Sequence, residues 1–516
     1  MLSLSRVLKL RAPNAKGFLF RILCRVRMMR IERLKAVVSS VSVLLITLSV
    51  LALVVSLMGV VLSAEPSERT AGVRASAVAV LSLAISATAF LLFKRNVVTE
   101  LSDAFIVVSI FWLLAPLFSA FIYSYSVGLP LIDAFFESLS GFTGTGFSVI
   151  SRPEELPRVI LVWRALTQWV GELGVVVFSG VLLPFLHRSI RSIYVAERGA
   201  RIAPSVISTA RRLFAIYAAY TLLGVLLFTV AGMGLFDSLV HSMTGIATGG
   251  MSTSSGNLGF WFISNSFVAV AASVVMILGA LNFVDLYNLS SGRLRDFVKS
   301  AEVRGLVTSF AVFAGVLWVI ALVTGSLDSF WVWVFHMISA HTTTGFSLTS
   351  IYEHPEAVKL VITLSMIVGG ATFSTAGGIK MKRTIIAVKA IFWDIGRIFV
   401  PRSAVIARKV GDEVIKEEEI ASVYSYIFLY MLTLVVLSLC MYISLLASGL
   451  SQYNYIDALF ETASALSCVG LSVGITTSSA PVLVKVLLMV AMYLGRIEFL
   501  PLYIVVGAYY IEKVTL

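Results

Sequence analysis

Four short segments of the chain share a pattern that could bind a dehydrated cation. Each segment ends in Gly, an apolar residue and Ser, and each holds Thr, Ser or Gly residues before that glycine. The segments are IDAFFESLSGFTGTGFS (132–148), FDSLVHSMTGIATGGMS (236–252), WVWVFHMISAHTTTGFS (331–347) and IDALFETASALSCVGLS (456–472). Carbonyls that line a narrow filter replace the hydration shell of a cation, and glycine permits the backbone angles that this requires. One membrane glycine more often marks close helix packing, but four in one register favour a shared filter.

A titratable residue lies nine positions before each of these glycines. The four pairs are Glu137 with Gly146, His241 with Gly250, His336 with Gly345, and Glu461 with Gly470. The carboxylates could concentrate cations at a pore mouth, and the imidazoles could confer pH sensitivity. The alternative, which we favour, is that all four side chains are buried and hydrogen-bond to neighbouring backbone.

Cysteine and histidine spacing gives no support for a metal site. The chain has three cysteines and five histidines, with no CxxC pair and no HExxH motif. Neither GxGxxG nor a Walker A pattern occurs, so we expect no nucleotide and no other cofactor in this chain. A membrane redox enzyme that uses His241 and His336 is therefore the weaker alternative, and the chain is predicted not to be an enzyme.

The composition is that of a helical membrane protein. Apolar residues make up 58% of the 516 positions and charged residues 13%, against about 25% charged in a soluble domain. A bilayer core about 30 Å thick takes about 20 apolar residues as a helix, so the chain has room for roughly ten spans. The apolar runs lack a two-residue period, which excludes a transmembrane β-barrel. The fold class is predicted to be an all-α polytopic membrane protein.

Each of the four segments lies between two apolar spans and is itself too short to cross a bilayer. The predicted unit is helix, re-entrant half-helix, loop, helix, and four units arranged with pseudo-fourfold symmetry would bring their loops to one axis. The predicted divisions are a basic arm (1–35), two extra N-terminal helices (36–104), and four pore repeats (105–212, 213–303, 304–419 and 420–516).

Basic residues predict the orientation. When the apolar runs are threaded alternately across the bilayer, 32 of the 40 Lys and Arg residues fall on one side. By the positive-inside rule this side is the cytoplasm, so both termini are predicted to be cytoplasmic in a multi-pass protein of the cell membrane. Single basic loops could contact nucleic acid or anionic lipid, but such contacts would not explain why the basic loops alternate along the chain. We therefore expect a membrane-spanning chain with lipid as a partner and no nucleic acid. The long loops 185–212 and 379–419 are candidates for docking a soluble partner.

The motifs resemble the membrane subunit of the Trk/Ktr/HKT potassium transporter family, and among its members the Trk type most closely. The matching stretches are TTTGFS (342–347), TGGMS (248–252), VGLSVGIT (469–476), GGATFSTAGGIKMKR (369–383) and GRIEFL (495–500). The resemblance implies a K⁺ selectivity filter formed by Thr143, Gly144, Thr145, Gly146, Thr248, Gly249, Gly250, Thr343, Thr344, Gly345, Cys468, Val469 and Gly470. The sequence departs from the family pattern at Gly144, Met251 and Cys468, but all four key glycines are intact.

The resemblance also implies a gate beneath the filter. Its residues would be Gly369, Gly370, Thr372, Ser374, Thr375, Gly377, Gly378 and Arg496. Glycine and small hydroxyl residues disfavour a straight helix, so residues 369–378 are predicted to form an irregular intramembrane loop. Arg496 lies in an apolar span and needs a partner in the protein interior. We expect that partner among carbonyls and hydroxyls of 372–375, since Glu498 is two positions away and faces elsewhere.

The predicted function is K⁺ uptake through a gated, channel-like pore. A symporter that couples K⁺ to H⁺ or Na⁺ on the same frame is the alternative. The resemblance further implies a homodimer bound to a cytoplasmic regulatory ring of nucleotide-binding domains, to which any nucleotide response would belong.

Overall fold

The computed structural model describes residues 15–94, 96, 98, 101–174, 206–401 and 407–499. Much of the predicted basic arm, most of the loop 185–212 and the C-terminal segment after 499 lie outside these residues. The α-helices are Ala15–Leu62, Pro66–Phe93, Leu101–Val127, Leu131–Phe142, Arg158–Leu173, Val206–Val230, Leu235–Ile246, Gly259–Phe262, Phe267–Ala280, Phe283–Ser290, Leu294–Lys299, Ala301–Thr324, Phe330–His341, Glu356–Val368, Met381–Ile398, Glu417–Ala447, Tyr455–Leu466 and Val482–Arg496. Single 3₁₀ turns occupy Pro153–Glu155 and Leu327–Ser329.

A small hairpin interrupts the otherwise helical architecture. Lys409–Val410 pairs antiparallel with Glu413–Val414, and Gly411 makes the turn with φ of 58°. The sequence does not predict these strands, because two residues on each side of a turn are too few to show an alternating pattern. A salt bridge of 2.8 Å from Lys382 to Glu413 ties the hairpin to the helix Met381–Ile398.

Six helices in the described ranges are long and apolar enough to cross a membrane. A seventh is added if Phe267–Ala280 and Phe283–Ser290, which meet at an angle of 113°, form one broken span. Two of the six are the helices that precede the repeats, and the other four each open a repeat; these we call the first helices. The first helices are Leu101–Val127, Val206–Val230, Ala301–Thr324 and Glu417–Ala447.

Each first helix is followed by a half-helix of 12 residues. The half-helices are Leu131–Phe142, Leu235–Ile246, Phe330–His341 and Tyr455–Leu466. At 1.5 Å per residue each is about 18 Å long, well short of the apolar thickness of a bilayer. Three of them carry an aspartate in the first turn, where a carboxylate stabilises the positive end of the helix dipole: Asp133, Asp237 and Asp457.

A second helix closes each repeat and is also short. The second helices are Arg158–Leu173, Phe267–Ala280, Glu356–Val368 and Val482–Arg496, with 13 to 16 residues each. Three begin directly after a proline, which fixes φ and ends the preceding loop: Pro157, Pro355 and Pro481. The helix Glu356–Val368 ends at Gly369, whose φ of 70° cannot continue a right-handed helix.

The four repeats close into a ring. Each second helix packs against the half-helix of the following repeat, and the second helix of repeat 4 packs against the half-helix of repeat 1. Two buried ion pairs fix the last two of these contacts: Lys359 with Asp457 at 2.7 Å, and Lys485 with Asp133 at 2.6 Å. The helices Ala15–Leu62 and Pro66–Phe93 pack on each other and on repeat 1, beside the ring.

Candidate ion-binding site

We call the four residues that end at each key glycine the glycine segments: 143–146, 247–250, 342–345 and 467–470. The key glycine of each repeat lies against a carbonyl of the next repeat, and this carbonyl belongs to the residue that precedes the key glycine there. A Cβ atom placed on the glycine would lie 1.9–2.0 Å from that oxygen, and the four contacts are Gly146 with Gly249, Gly250 with Thr344, Gly345 with Val469, and Gly470 with Thr145. The contacts form a closed cycle, so the four segments surround one axis.

The backbone of the glycine segments repeats in detail. All four glycines have φ between 69° and 88°, in the left-handed region that a side chain disfavours. The residue two positions earlier also has positive φ in every repeat, at 68° for Gly144, 47° for Thr248, 55° for Thr343 and 56° for Cys468. Strained backbone of this kind persists only where the surrounding structure determines it.

Hydrogen bonds from the half-helices hold this backbone. In each repeat the N–H of the residue before the glycine donates to a carbonyl in the last turns of its own half-helix. The bonds run from Thr145 to Ser140 (3.0 Å), Gly249 to Thr244, Thr344 to Ser339 and Val469 to Ser464 (2.8 Å each). Since the N–H groups point back toward the half-helices, the C-terminal ends of all four half-helices lie at the glycine segments.

All four glycines line one cavity of about 230 Å³ at the end of the glycine segments farther from the half-helix termini. Serines two positions beyond the glycines line the same cavity: Ser148, Ser252, Ser347 and Ser472. The cavity therefore draws equivalent residues from every repeat, which is the arrangement expected of a vestibule on a common axis.

The titratable residues nine positions before the glycines are fully buried and hold the chain just past the glycines. Glu137 accepts from the N–H of Val149 (3.0 Å), and Glu461 from that of Val473 (3.0 Å). His336 Nε2 accepts from the N–H of Leu348 at 3.0 Å, so its Nδ1 carries the proton and donates to His354. His241 Nε2 lies 2.9 Å from the Ser252 hydroxyl. These contacts agree with the structural interpretation of all four residues.

Arg164, on the second helix of repeat 1, is a buried site residue that was not predicted from the sequence. Its guanidinium pairs with Glu137 at 2.7 Å and donates to the Ser252 carbonyl of repeat 2 at 3.1 Å. The side chain thus joins the vestibule walls of two repeats. A basic residue amid Val, Leu, Trp and Ala was the available signal, although sequence spacing does not show which carboxylate it meets.

Residues 369–378 contain no helix and lie against the glycine segments of repeats 2, 3 and 4. Thr248 Oγ1 donates to Thr375 Oγ1 (3.1 Å), and the N–H of Gly377 donates to Thr343 Oγ1 (2.8 Å). A Cβ atom on Gly377 would lie 2.0 Å from the Ser467 carbonyl oxygen. These contacts are made at the end of the segments nearer the half-helix termini, opposite the vestibule.

The break in the second helix of repeat 2 supports this loop. The N–H of Ala371 donates to the Ala280 carbonyl (2.9 Å), and the N–H of Phe283 donates to that of Phe373 (3.1 Å). Glu302, on the first helix of repeat 3, accepts from the Thr372 N–H at 2.7 Å. The loop is therefore held from two neighbouring elements.

The expected partner of Arg496 was wrong. The Arg496 guanidinium pairs with Glu172 at 2.6 Å, donates to the Gly171 carbonyl at 2.7 Å and lies 4.8 Å from the Trp112 ring centroid. Both helices that carry the pair end at the boundary between repeats 4 and 1, and the buried Glu172 carboxylate is best stabilised by a full counter-charge. Glu498 instead pairs with Lys380 (3.0 Å) and Arg383 (2.5 Å).

Glu172 lies directly beside the remaining glycine segment. A Cβ atom on Gly144 would lie 2.0 Å from Glu172 Oε1. The loop 369–378 thus covers three of the glycine segments at this end, and the pair Glu172–Arg496 lies at the fourth.

Fold and site together define a mostly helical membrane protein in which four re-entrant loops surround one axis. A family model described as "TrkH: Cation transport protein" matches residues 73–509, so the chain belongs to this family of cation transport proteins.

Similar proteins span most of the chain. It is 31% identical over 408 residues to an uncharacterized cation transporter of Methanocaldococcus jannaschii, covering 78% of this chain and 82% of that protein. It is 29% identical over 442 residues to the Trk system potassium uptake protein TrkG of Escherichia coli, covering 81% and 87%. The crystal structure of the potassium transporter TrkH from Vibrio parahaemolyticus superimposes with a TM-score of 0.78 at 26% identity, covering 92% of this chain and 98% of that one. The predicted fold class and family are confirmed.

Proposed function

We propose that this chain takes up K⁺ across the cell membrane through a gated, channel-like pore, with the four glycine segments as its selectivity filter. The closed cycle of glycine and carbonyl contacts is the observation that carries the proposal, because it brings equivalent carbonyls of four repeats to one axis. The E. coli and V. parahaemolyticus relatives are potassium uptake and potassium transport proteins, which supports K⁺ as the ion.

The chemistry follows from the backbone. In this proposal the carbonyls of Thr145, Gly249, Thr344 and Val469 replace water around the ion. The C-terminal ends of the four half-helices carry partial negative charge toward the same axis and favour a cation over an anion. A membrane potential supplies about 2.3 kcal/mol per elementary charge per 100 mV, which is sufficient to drive uptake without chemical coupling.

The gate in this proposal has two parts. The loop 369–378 blocks the path below three glycine segments, and Arg496 contributes positive charge beside the fourth. For ions to pass, the loop would have to move away from Thr343, and the hydrogen bond between Thr248 and Thr375 would have to break. The hydrogen bonds from the loop to Thr248 and Thr343 of the glycine segments involve neutral groups, so a modest free-energy change could break them.

The assembly is the finer part of the proposal. The printed names of relatives refer to a Trk system, which supports a complex with other components, and we propose a homodimer on a cytoplasmic nucleotide-binding regulatory ring. Both chain termini would then face the cytoplasm. The hairpin region around Lys382 and Lys409 would lie on that side and offer a docking surface.

Gly345→Ser tests the filter. The new Cβ would lie 2.0 Å from the Val469 carbonyl oxygen at φ of 87°, so the repeat 3 and repeat 4 carbonyls must move. We expect K⁺ uptake or K⁺/Na⁺ selectivity to fall roughly tenfold, the factor that corresponds to 1.4 kcal/mol. The measurement is K⁺ and Na⁺ flux in liposomes, with complementation of cells that lack potassium uptake.

Gly315→Ser is the matched control. Gly315 lies in the first helix of the same repeat, and a Cβ there meets no atom within 4 Å. It should transport as the unmodified protein does. Normal selectivity and flux in Gly345→Ser, with the protein present in the membrane, would remove this glycine from the filter.

A further inference from the structure

The Gln168 side chain holds the glycine segment of repeat 2 from behind. Gln168 lies on the second helix of repeat 1 and is fully buried. Its Nε2 donates to the Gly249 carbonyl at 2.6 Å, and its Oε1 accepts from the Met251 N–H at 3.2 Å. One amide therefore bonds to the backbone on both sides of Gly250.

The other repeats have no amide at the equivalent position. The register is set by a glycine in the second helix that contacts the last carbonyl of the half-helix in the same repeat: Gly171 with Phe142, Gly279 with Ile246, and Gly495 with Leu466. Three residues before these glycines stand Gln168, Met276 and Met492. For repeat 3 the register comes from Lys359, which pairs with a half-helix aspartate as Lys485 does in repeat 4. Met366, seven residues after Lys359, is therefore equivalent to Met492. All three methionines are fully buried.

The residue that precedes the key glycine differs in the same repeat. Repeats 1, 3 and 4 have Thr145, Thr344 and Val469 there, whereas repeat 2 has Gly249. A Cβ atom on Gly249 would lie 2.4 Å from Gln168 Cδ. Gln168 thus fills the space that a Cβ atom would need at position 249, and the amide and the glycine depend on each other.

The hydrogen bond makes one of four equivalent carbonyls chemically distinct. A carbonyl oxygen has two lone pairs, and Gln168 engages one of them on Gly249. The same oxygen is the one that contacts Gly146 across the repeat boundary. Gln168 therefore fixes both the direction of this carbonyl and its distance from the axis. The methionines of the other repeats can pack against the backbone but cannot donate a hydrogen bond to a carbonyl.

We propose that Gln168 is a positioning residue for K⁺ selectivity: its amide holds the Gly249 carbonyl at the spacing that suits K⁺ and prevents its collapse onto the smaller Na⁺. The inference rests on the proposed filter and assigns a role to a residue outside it.

Gln168→Met tests this role, since methionine is the residue at the three equivalent positions and is close to glutamine in length. We expect the permeability of Na⁺ relative to K⁺ to rise about fivefold, while K⁺ still passes; fivefold corresponds to about 1 kcal/mol at 1.4 kcal/mol per tenfold. The readout is the reversal potential under K⁺ and Na⁺ gradients in liposomes, which a loss of protein would not shift. Met276→Leu, which alters a buried methionine of similar volume, is the control and should retain the original permeability ratio.

Gln168→Glu separates the effect of the hydrogen bond from the effect of packing. It also tests the role of Gln168 if the methionine variant does not reach the membrane. An ionised carboxylate can accept from the Met251 N–H but cannot donate to the Gly249 carbonyl, whereas the protonated acid can do both. We expect poor selectivity in alkaline solution and recovery in acid, with no such pH dependence in the unmodified protein. Selectivity equal to that of the unmodified protein in alkaline solution would overturn the proposal.

Gly345→Ser in the same assay distinguishes the two hypotheses. If it lowers selectivity while Gln168→Met and Gln168→Glu retain it, the inference on Gln168 fails and the filter stands. If Gly345→Ser leaves both selectivity and K⁺ flux unchanged, the filter assignment itself fails, and the role of Gln168 fails with it.

Discussion

The half-buried Arg496 and the buried Glu172 form an ion pair at the end of the repeat 1 glycine segment, 2.6 Å apart. Their charges act on a passing cation with opposite sign. A packing role, in contrast, would make the loss of either partner harmful in the same direction, because breaking a buried pair destabilises a protein by about 3–5 kcal/mol. Single substitutions of the two residues therefore separate electrostatic gating from packing.

Arg496→Ala should raise basal K⁺ flux, and Glu172→Gln should lower it. At an effective dielectric constant of about 20, a unit charge about 10 Å from the ion contributes about 1.7 kcal/mol, so we expect a change of roughly tenfold in each direction. Unidirectional flux in liposomes is the measurement, and Arg496→Lys, which retains the charge, is the control. A decrease in both variants would assign the pair to packing alone.

The loop 369–378 shows how an element takes its shape from its neighbours. Gly369 and Gly378 have positive φ and approach so closely that a Cβ on Gly378 would lie 2.8 Å from the Gly369 Cα. Gly377 also approaches a neighbour too closely for a side chain, since a Cβ atom there would lie 2.0 Å from the Ser467 carbonyl oxygen. A methyl group at position 377 should therefore push the loop away from the repeat 4 segment.

Gly377→Ala should raise K⁺ flux severalfold without changing the permeability ratio of Na⁺ to K⁺, because it displaces the loop and leaves the four carbonyls in place. About 1 kcal/mol of strain corresponds to about fivefold. The test compares flux and reversal potential with those of Gly396→Ala, whose Cβ meets no atom within 4 Å. Unchanged or lower flux in correctly inserted protein would count against gating, and a lower selectivity would place this loop within the filter.

At the scale of the molecule, the sequence predicts what repeats locally and misses what joins distant residues. The register of the four glycines and of the titratable residue before each is visible because it recurs within segments of 17 positions. The pairs Lys485–Asp133 and Arg496–Glu172 join residues 352 and 324 positions apart, and no spacing rule specifies them. Arg496 needed a partner on physical grounds, but only the closure of the ring brings Glu172 to it. The break between Phe267–Ala280 and Phe283–Ser290 was also missed, since it falls at Leu281 and Asn282, which include neither a proline nor a glycine.

The closed ring also bears on whether transport is coupled. Four half-helices are held by second helices of neighbouring repeats, and two of these contacts are buried ion pairs, so rocking one repeat against another would separate charges at low dielectric. Gating by the loop 369–378 leaves the ring intact and gives a continuous path. We therefore expect the reversal potential in liposomes to shift by about 59 mV per tenfold K⁺ gradient, the value for a single monovalent charge. Imposed H⁺ or Na⁺ gradients should leave it unchanged; a shift that follows either gradient would establish symport on this frame in place of a channel-like pore.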